Sequence, residues 1–168
     1  MAAASAWLAA AAALILATQS PSTLPRDAAS AKAMVDSSSR HGEYVDIATG
    51  AAAPVRAFVV YPEIATKAPV VIVLHERFGF GDWTRGVADQ LAAEGFIAIS
   101  PDVRRDDLAA GLAAVRAYGQ KLPAATGKTV TLGFGFDGAA LDLRGEADVD
   151  AASRAWPETL TSLRQQTR

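Results

Sequence analysis

From Gly42 onward the apolar positions fall into short, regular blocks. "GEYVDIATG" and "VRAFVVYPE" are β-prone runs separated by Gly50 and Pro54, which predicts an antiparallel opening pair. "APVVIVLHE" differs from both. Val70 to Leu74 is unbroken and rich in β-branched residues, the pattern of a strand buried on both faces inside a sheet. A helix is predicted from about Trp83 to Glu94, capped by Asp82, with Val87, Ala88, Leu91 and Ala92 on one face and Gly95 ending it. "FIAIS" then reads as a second buried strand closed by Pro101, so strand, helix and strand form a right-handed βαβ unit. Asp106 or Asp107 caps a second helix, on which Leu108, Leu112, Val115 and Tyr118 recur at helical spacing. "KTVTLGF" is expected to be a third buried strand, and beyond Ala140 only a short "ALDL" and a helix around Pro157 are legible. The fold class is α/β, with a mostly parallel sheet flanked by helices.

The N-terminal part changes the domain picture. The apolar run Ala6 to Ala17, followed at once by small and polar residues, has the length and flanks of a secretory signal cleaved near Thr18 to Ser20. Residues 1–20 are therefore expected to be a signal peptide, 21–39 a Ser- and Ala-rich linker, and 40–168 one folded domain. The corresponding location is periplasmic or secreted, with no integral membrane span in the mature chain. An alanine-rich helix belonging to the fold is the competing reading of the first twenty residues.

Composition narrows the chemistry further. Half of the 168 residues are apolar (51%), a fifth are charged (20%), and the net charge is −2, so one domain with a real core is affordable and a nucleic-acid surface has no support. The chain has no cysteine, which removes disulfides, thiolate metal sites and a cysteine nucleophile together. Two histidines, His41 and His75, stand far apart without a neighbouring ligand, so neither a metal nor another cofactor is expected.

The stretch "LGFGFDGAA" from Leu132 to Ala140 admits two readings. Gly133, Gly135 and Gly138 spell the G-x-G-x-x-G turn of dinucleotide sites. That turn should follow the first strand of a βαβ unit and lead to an acidic residue ending the next strand. Here it follows the last legible strand, and Glu158, at the required distance, sits in helical sequence. The alternative is a strand-to-helix elbow with Gly135 at the tip, where a nucleophile would stand.

A wider pattern favours the elbow. "VVIVLHERFGFGDWTRGVADQLAAEGFIAISPDV" resembles the dienelactone hydrolase family of the α/β-hydrolase superfamily, in which an apolar strand ends in H-E or Q-E, followed by a Phe-Gly turn, a helix, and a strand ending in Ser or Cys, Pro and Asp. "GLAAVRAYGQKLPAATGKTVTLGF" resembles the helix and strand that lead to the family's elbow, and "AWPETLTSLRQQTR" its C-terminal helix, so the likeness runs from about Gly42 to Gly138 plus the tail. The resemblance implies an α/β-hydrolase-like fold and hydrolysis of a small ester or lactone by acyl transfer. It places Glu76 where the family sets a glutamate against its thiol, and the backbone N–H groups of Arg77 and Phe136 where it has oxyanion-hole donors.

The same carry-over replaces the nucleophile by Gly135 and the elbow's later glycine by Asp137. The strands that bring the family's aspartate and histidine are not legible after it, as though the tail were joined to the elbow by an internal deletion, leaving an incomplete fold. Impaired or absent catalysis, that of a pseudoenzyme, is the expectation. A noncatalytic binding or interaction protein on the same scaffold is the alternative, with self-association or a partner protein at an exposed sheet edge. His75 is expected to bond the turn that follows it, Asp102 to cap a turn, Asp137 to cap the helix after the elbow, and Trp83 and Trp156 to pack. Arg104 and Arg105 could attract a carboxylate-bearing substrate, although exposed loop charges are commoner.

Overall fold

A computed structural model describes residues 22–50, 53–74, 80–133 and 146–168. Its element order is α1 (Ala28–Asp36), β1 (Gly42–Ile47), β2 (Val55–Val60), β3 (Ala68–Leu74), α2 (Asp82–Ala93), β4 (Ile97–Pro101), α3 (Leu108–Lys121), β5 (Ala125–Gly133) and α4 (Glu146–Gln166). The strands form one five-stranded sheet in the order β1-β2-β4-β3-β5. As expected, β1 and β2 pair antiparallel, Gly42 opposite Val60. β2 is antiparallel to β4, while β3 is parallel to both β4 and β5.

Alternation along β3 divides the core into two layers. Val71 and Val73 face Val87, Ala88, Leu91 and Ala92 of α2 together with Trp156, Leu160 and Leu163 of α4. Val70, Ile72 and Leu74 face the opposite layer, which contains Val115 and the partly buried Leu108, Leu112 and Tyr118 of α3. Period-two strands meeting period-3.6 helices on both sides give a three-layer α/β sandwich. Gly119 lets α3 approach the sheet, since a Cβ there would stand 3.1 Å from both Ile99 and Val70 side chains.

Three expectations need correction. The supposed linker 21–39 contains α1, nucleated by a capping box in which Asp27 accepts from the Ser30 amide (2.7 Å) and Ser30 accepts from the Asp27 amide (3.0 Å). α1 lies on α2, with Ala31 fully buried against Gly86. α2 is capped by Gly81 rather than Asp82; Asp82 is its first residue and forms an ion pair with Arg85 one turn on. Gly95 does close α2, at φ +90°, a conformation that excludes most side chains. β5 is not fully buried: from Thr129 to Gly133 it is half-exposed, because it pairs only with β3 and forms the edge of the sheet among the described residues. Pro157 lies inside α4.

The segment from Ser22 to Arg40 binds along one face of α2. The Trp83 indole donates to the Pro25 carbonyl (2.9 Å), Leu24 enters the core, and Ser22 donates its amide to Glu94 (2.7 Å). Arg164 of α4 also reaches Glu94, and the Trp156 indole donates to the Ser22 hydroxyl (3.0 Å). Both tryptophans therefore pack, as expected, and each is also a hydrogen-bond donor. The Glu94 carboxyl is held below the usual glutamate range: burial pushes it up, but the Ser22 amide and hydroxyl and the Arg164 guanidinium outweigh that. Asp89, the buried acid of α2, takes a two-pronged bond from Arg40, at 3.0 and 2.6 Å, and the Ser38 hydroxyl at 2.5 Å.

Candidate functional site

Among the described residues, the strand order marks a candidate site. The chain leaves β3, crosses through α2 to β4 on one side, then returns through α3 past β3 to β5 on the other. Connections diverge in this way between β3 and β5, and in open α/β sheets the carboxyl ends at such a switch point are where ligands bind. The two strands end side by side, with Leu74 opposite Gly133. In sequence, Glu76 and Arg77 follow the first end by two and three residues, and Gly135 and Phe136 follow the second by the same spacing. His75, Glu76, Arg77, Gly135, Phe136 and Asp137 lie outside the described residues, as do residues 1–20 and the "ALDL" run.

Other candidates are placed directly. Asp102 follows the carboxyl end of β4, where its amide donates to the Arg56 carbonyl at 2.7 Å, so it continues the β2–β4 pairing by one residue. With Arg104, Asp107 and Thr49 it lines a cavity of about 90 Å³ at that end of the sheet. Arg105 begins the 3₁₀ turn Arg105–Asp107 that leads into α3, whose N-cap is Asp107. His41 is at the opposite end. Its carbonyl accepts from the Tyr61 amide (3.0 Å), next to Gly42 opposite Val60, and Val60 lies opposite Ala98 near the start of β4. Five residues of β4 place His41 roughly 15 Å from the carboxyl ends, beyond reach of any group there.

Two arrangements escaped the sequence reading. Tyr44 on β1 is flanked by Arg56, its guanidinium carbon 4.9 Å from the ring centroid, and by Arg85, which donates to the tyrosine hydroxyl at 2.7 Å. At the amino end, the Tyr61 hydroxyl donates to Glu43 (3.0 Å) beside His41 and Tyr118. Burial first, then the Glu43 bond, raises the Tyr61 hydroxyl well above its ordinary value. Spacing offered no signal for either, because cross-strand register and a helix start bring these residues together. Among the described residues no three potential ligands gather into a metal-binding group, and no helix is long and apolar enough to cross a membrane.

The strand order and layers are similar to those of solved α/β-hydrolase-like structures. An esterase from Pyrobaculum calidifontis superposes with TM-score 0.54 at 21% identity, over 64% of this chain and 39% of the esterase. A hypothetical protein from Pseudomonas aeruginosa gives 0.52 at 15% identity, over 58% and 36%. Residues 55–130 match the family model of the dienelactone hydrolase family. A dienelactone hydrolase-like promiscuous phosphotriesterase from metagenomic libraries is similar at 22% identity over 58% of this chain and 50% of its own, with TM-score 0.46. The chain thus spans half or less of these structures. No curated protein matches it significantly. The family match stops at Val130, so the elbow from Gly133 to Gly138 and the tail rest on the sequence resemblance.

Proposed function

We propose that the chain keeps the ester- or lactone-binding crevice of the dienelactone hydrolases and does not complete acyl transfer in it. The observation that carries this reading is the pairing of Leu74 with Gly133. It brings the two strand ends that precede Glu76 and Gly135 to one crevice, at the spacing the family uses for its glutamate and its nucleophile. Glycine offers no electron pair on a side chain, and the chain contains no cysteine to take its place. Oxyanion donors at Arg77 and Phe136 would stabilise charge on a bound carbonyl, yet this supplies only part of the acceleration. His41, at the far end of the sheet, cannot serve as base. The reading also includes export, with residues 1–20 removed, for which the apolar run Ala6 to Ala17 is the support.

The test is hydrolysis of 4-nitrophenyl acetate by the wild-type chain and by Gly135→Cys. The wild type should match the uncatalysed rate. Gly135→Cys should release up to one equivalent of nitrophenol per chain in a burst, with the acyl group retained on residue 135. Saturable wild-type turnover, lost in Glu76→Ala, would contradict the reading. For export, the N-terminus of the mature protein should fall between residues 18 and 21.

A further inference from the structure

The outer edge of β5 carries no strand among the described residues, and the stretch Thr129–Gly133 has none of the charges or prolines that usually blunt a sheet edge. We infer that this edge is an interface for a second copy of the chain, β5 pairing antiparallel with itself about Thr131 to give one continuous ten-stranded sheet.

Three features select a second copy as the occupant. A two-fold axis normal to the sheet keeps like faces together, so only registers centred on a residue are allowed. Centred on Thr131, the pairing sets Val130 against Leu132 twice on the α4 side, where both already pack on the core, and Thr131 against Thr131 on the α3 side. Moving the centre to Val130 would set Lys128 against Leu132. Moving it to Leu132 would set Thr131 against Gly133.

Charge complementarity is the third feature. Lys128, exposed at the start of the edge, reaches the Arg168 carbonyl, so α4 runs back along β5 from there. Ten residues of helix rise about 15 Å, close to the five-residue span from Lys128 to Gly133, which brings the exposed Glu158 level with the far end of the edge. Glu158 and Gly133 indeed line the same cleft of about 520 Å³ between β5 and α4. Antiparallel pairing reverses the second strand, so Lys128 of each copy arrives at the Glu158 end of the other. Two symmetric ion pairs close the interface.

Sedimentation velocity of the full chain over a range of concentrations tests this, together with hydrogen exchange. A dimer of twice 17.4 kDa is expected, with the Thr129–Leu132 amides protected more strongly as concentration rises. Lys128→Glu and Glu158→Lys should each weaken the dimer at least tenfold, and the two together should restore it. A monomer at every concentration would overturn the inference; if its β5 amides were already protected, the edge would belong to another segment of the same chain. Assemblies larger than a dimer, or a dimer indifferent to both charge reversals, would overturn it as well.

Discussion

Replacing Arg40 with alanine isolates the strongest polar contact between the N-terminal segment and the fold. Asp89 is buried in α2, its side chain 3% exposed, and Arg40 supplies two of its hydrogen bonds while remaining 20% exposed itself. Asp89 in turn raises the Arg40 guanidinium further above its already high value. Removing one member of a fully buried pair costs about 3–5 kcal/mol, because the other charge is left without compensation. Here the Ser38 hydroxyl remains, and water can enter where the guanidinium was, so the expected loss is about 2–3 kcal/mol. For a domain of this size each kcal/mol lowers the midpoint by roughly 2–4 °C, so Arg40→Ala should melt about 5–10 °C below wild type. Urea unfolding followed by circular dichroism should show the same change as a lower midpoint with an unchanged slope. A loss below about 1 kcal/mol would mean that the pair behaves like an exposed surface bridge and that the segment 22–40 is not integral to the domain.

Gly86→Val tests the approach of α1 to α2. The added Cβ would stand 2.8 Å from the Ala31 Cβ and 3.1 Å from its Cα, so a loss of roughly 1–3 kcal/mol is expected in the same unfolding assay, with protease cleavage appearing first between residues 22 and 40. Glu94→Gln should change the pH dependence of stability. The folded-state carboxyl is depressed, so its contribution is present above the ordinary value of 4.5 and lost as pH falls through the lower folded value. Wild type and Glu94→Gln should therefore differ in midpoint at pH 7 and converge in acid; equal differences at pH 7 and pH 3 would contradict this.

Legibility followed the physics of each segment. β3 and β4 could be read because strands covered on both faces are apolar almost throughout, and α2 because Val87, Ala88, Leu91 and Ala92 fall on one face. α1 was hidden. Ser, Ala and Asp in its sequence match a linker in composition, and its docking depends on the missing side chain of Gly86, 55 positions after Ala31 in the chain. The edge position of β5 was also out of reach, since Val130 and Leu132 pack on one face much as they would in an interior strand. Its alternate threonines, Thr129 and Thr131, were the available hint of a more polar second face. For the crevice, sequence supplied the candidate residues and their family pattern, whereas the alignment of Leu74 with Gly133 required the parallel register. Tyr44, Arg56 and Arg85 illustrate the limit: no spacing rule links residues that meet only across strands and a helix terminus.

The central claim is that the crevice at the ends of β3 and β5 contains no nucleophile capable of acyl chemistry. Intact-mass spectrometry of the wild-type chain after incubation with a fluorophosphonate probe, beside Gly135→Cys treated with iodoacetamide, tests it most directly. An unmodified wild type and a singly alkylated variant are predicted. A stoichiometric phosphonyl adduct on the wild-type chain, mapped to any residue of that crevice, would contradict it.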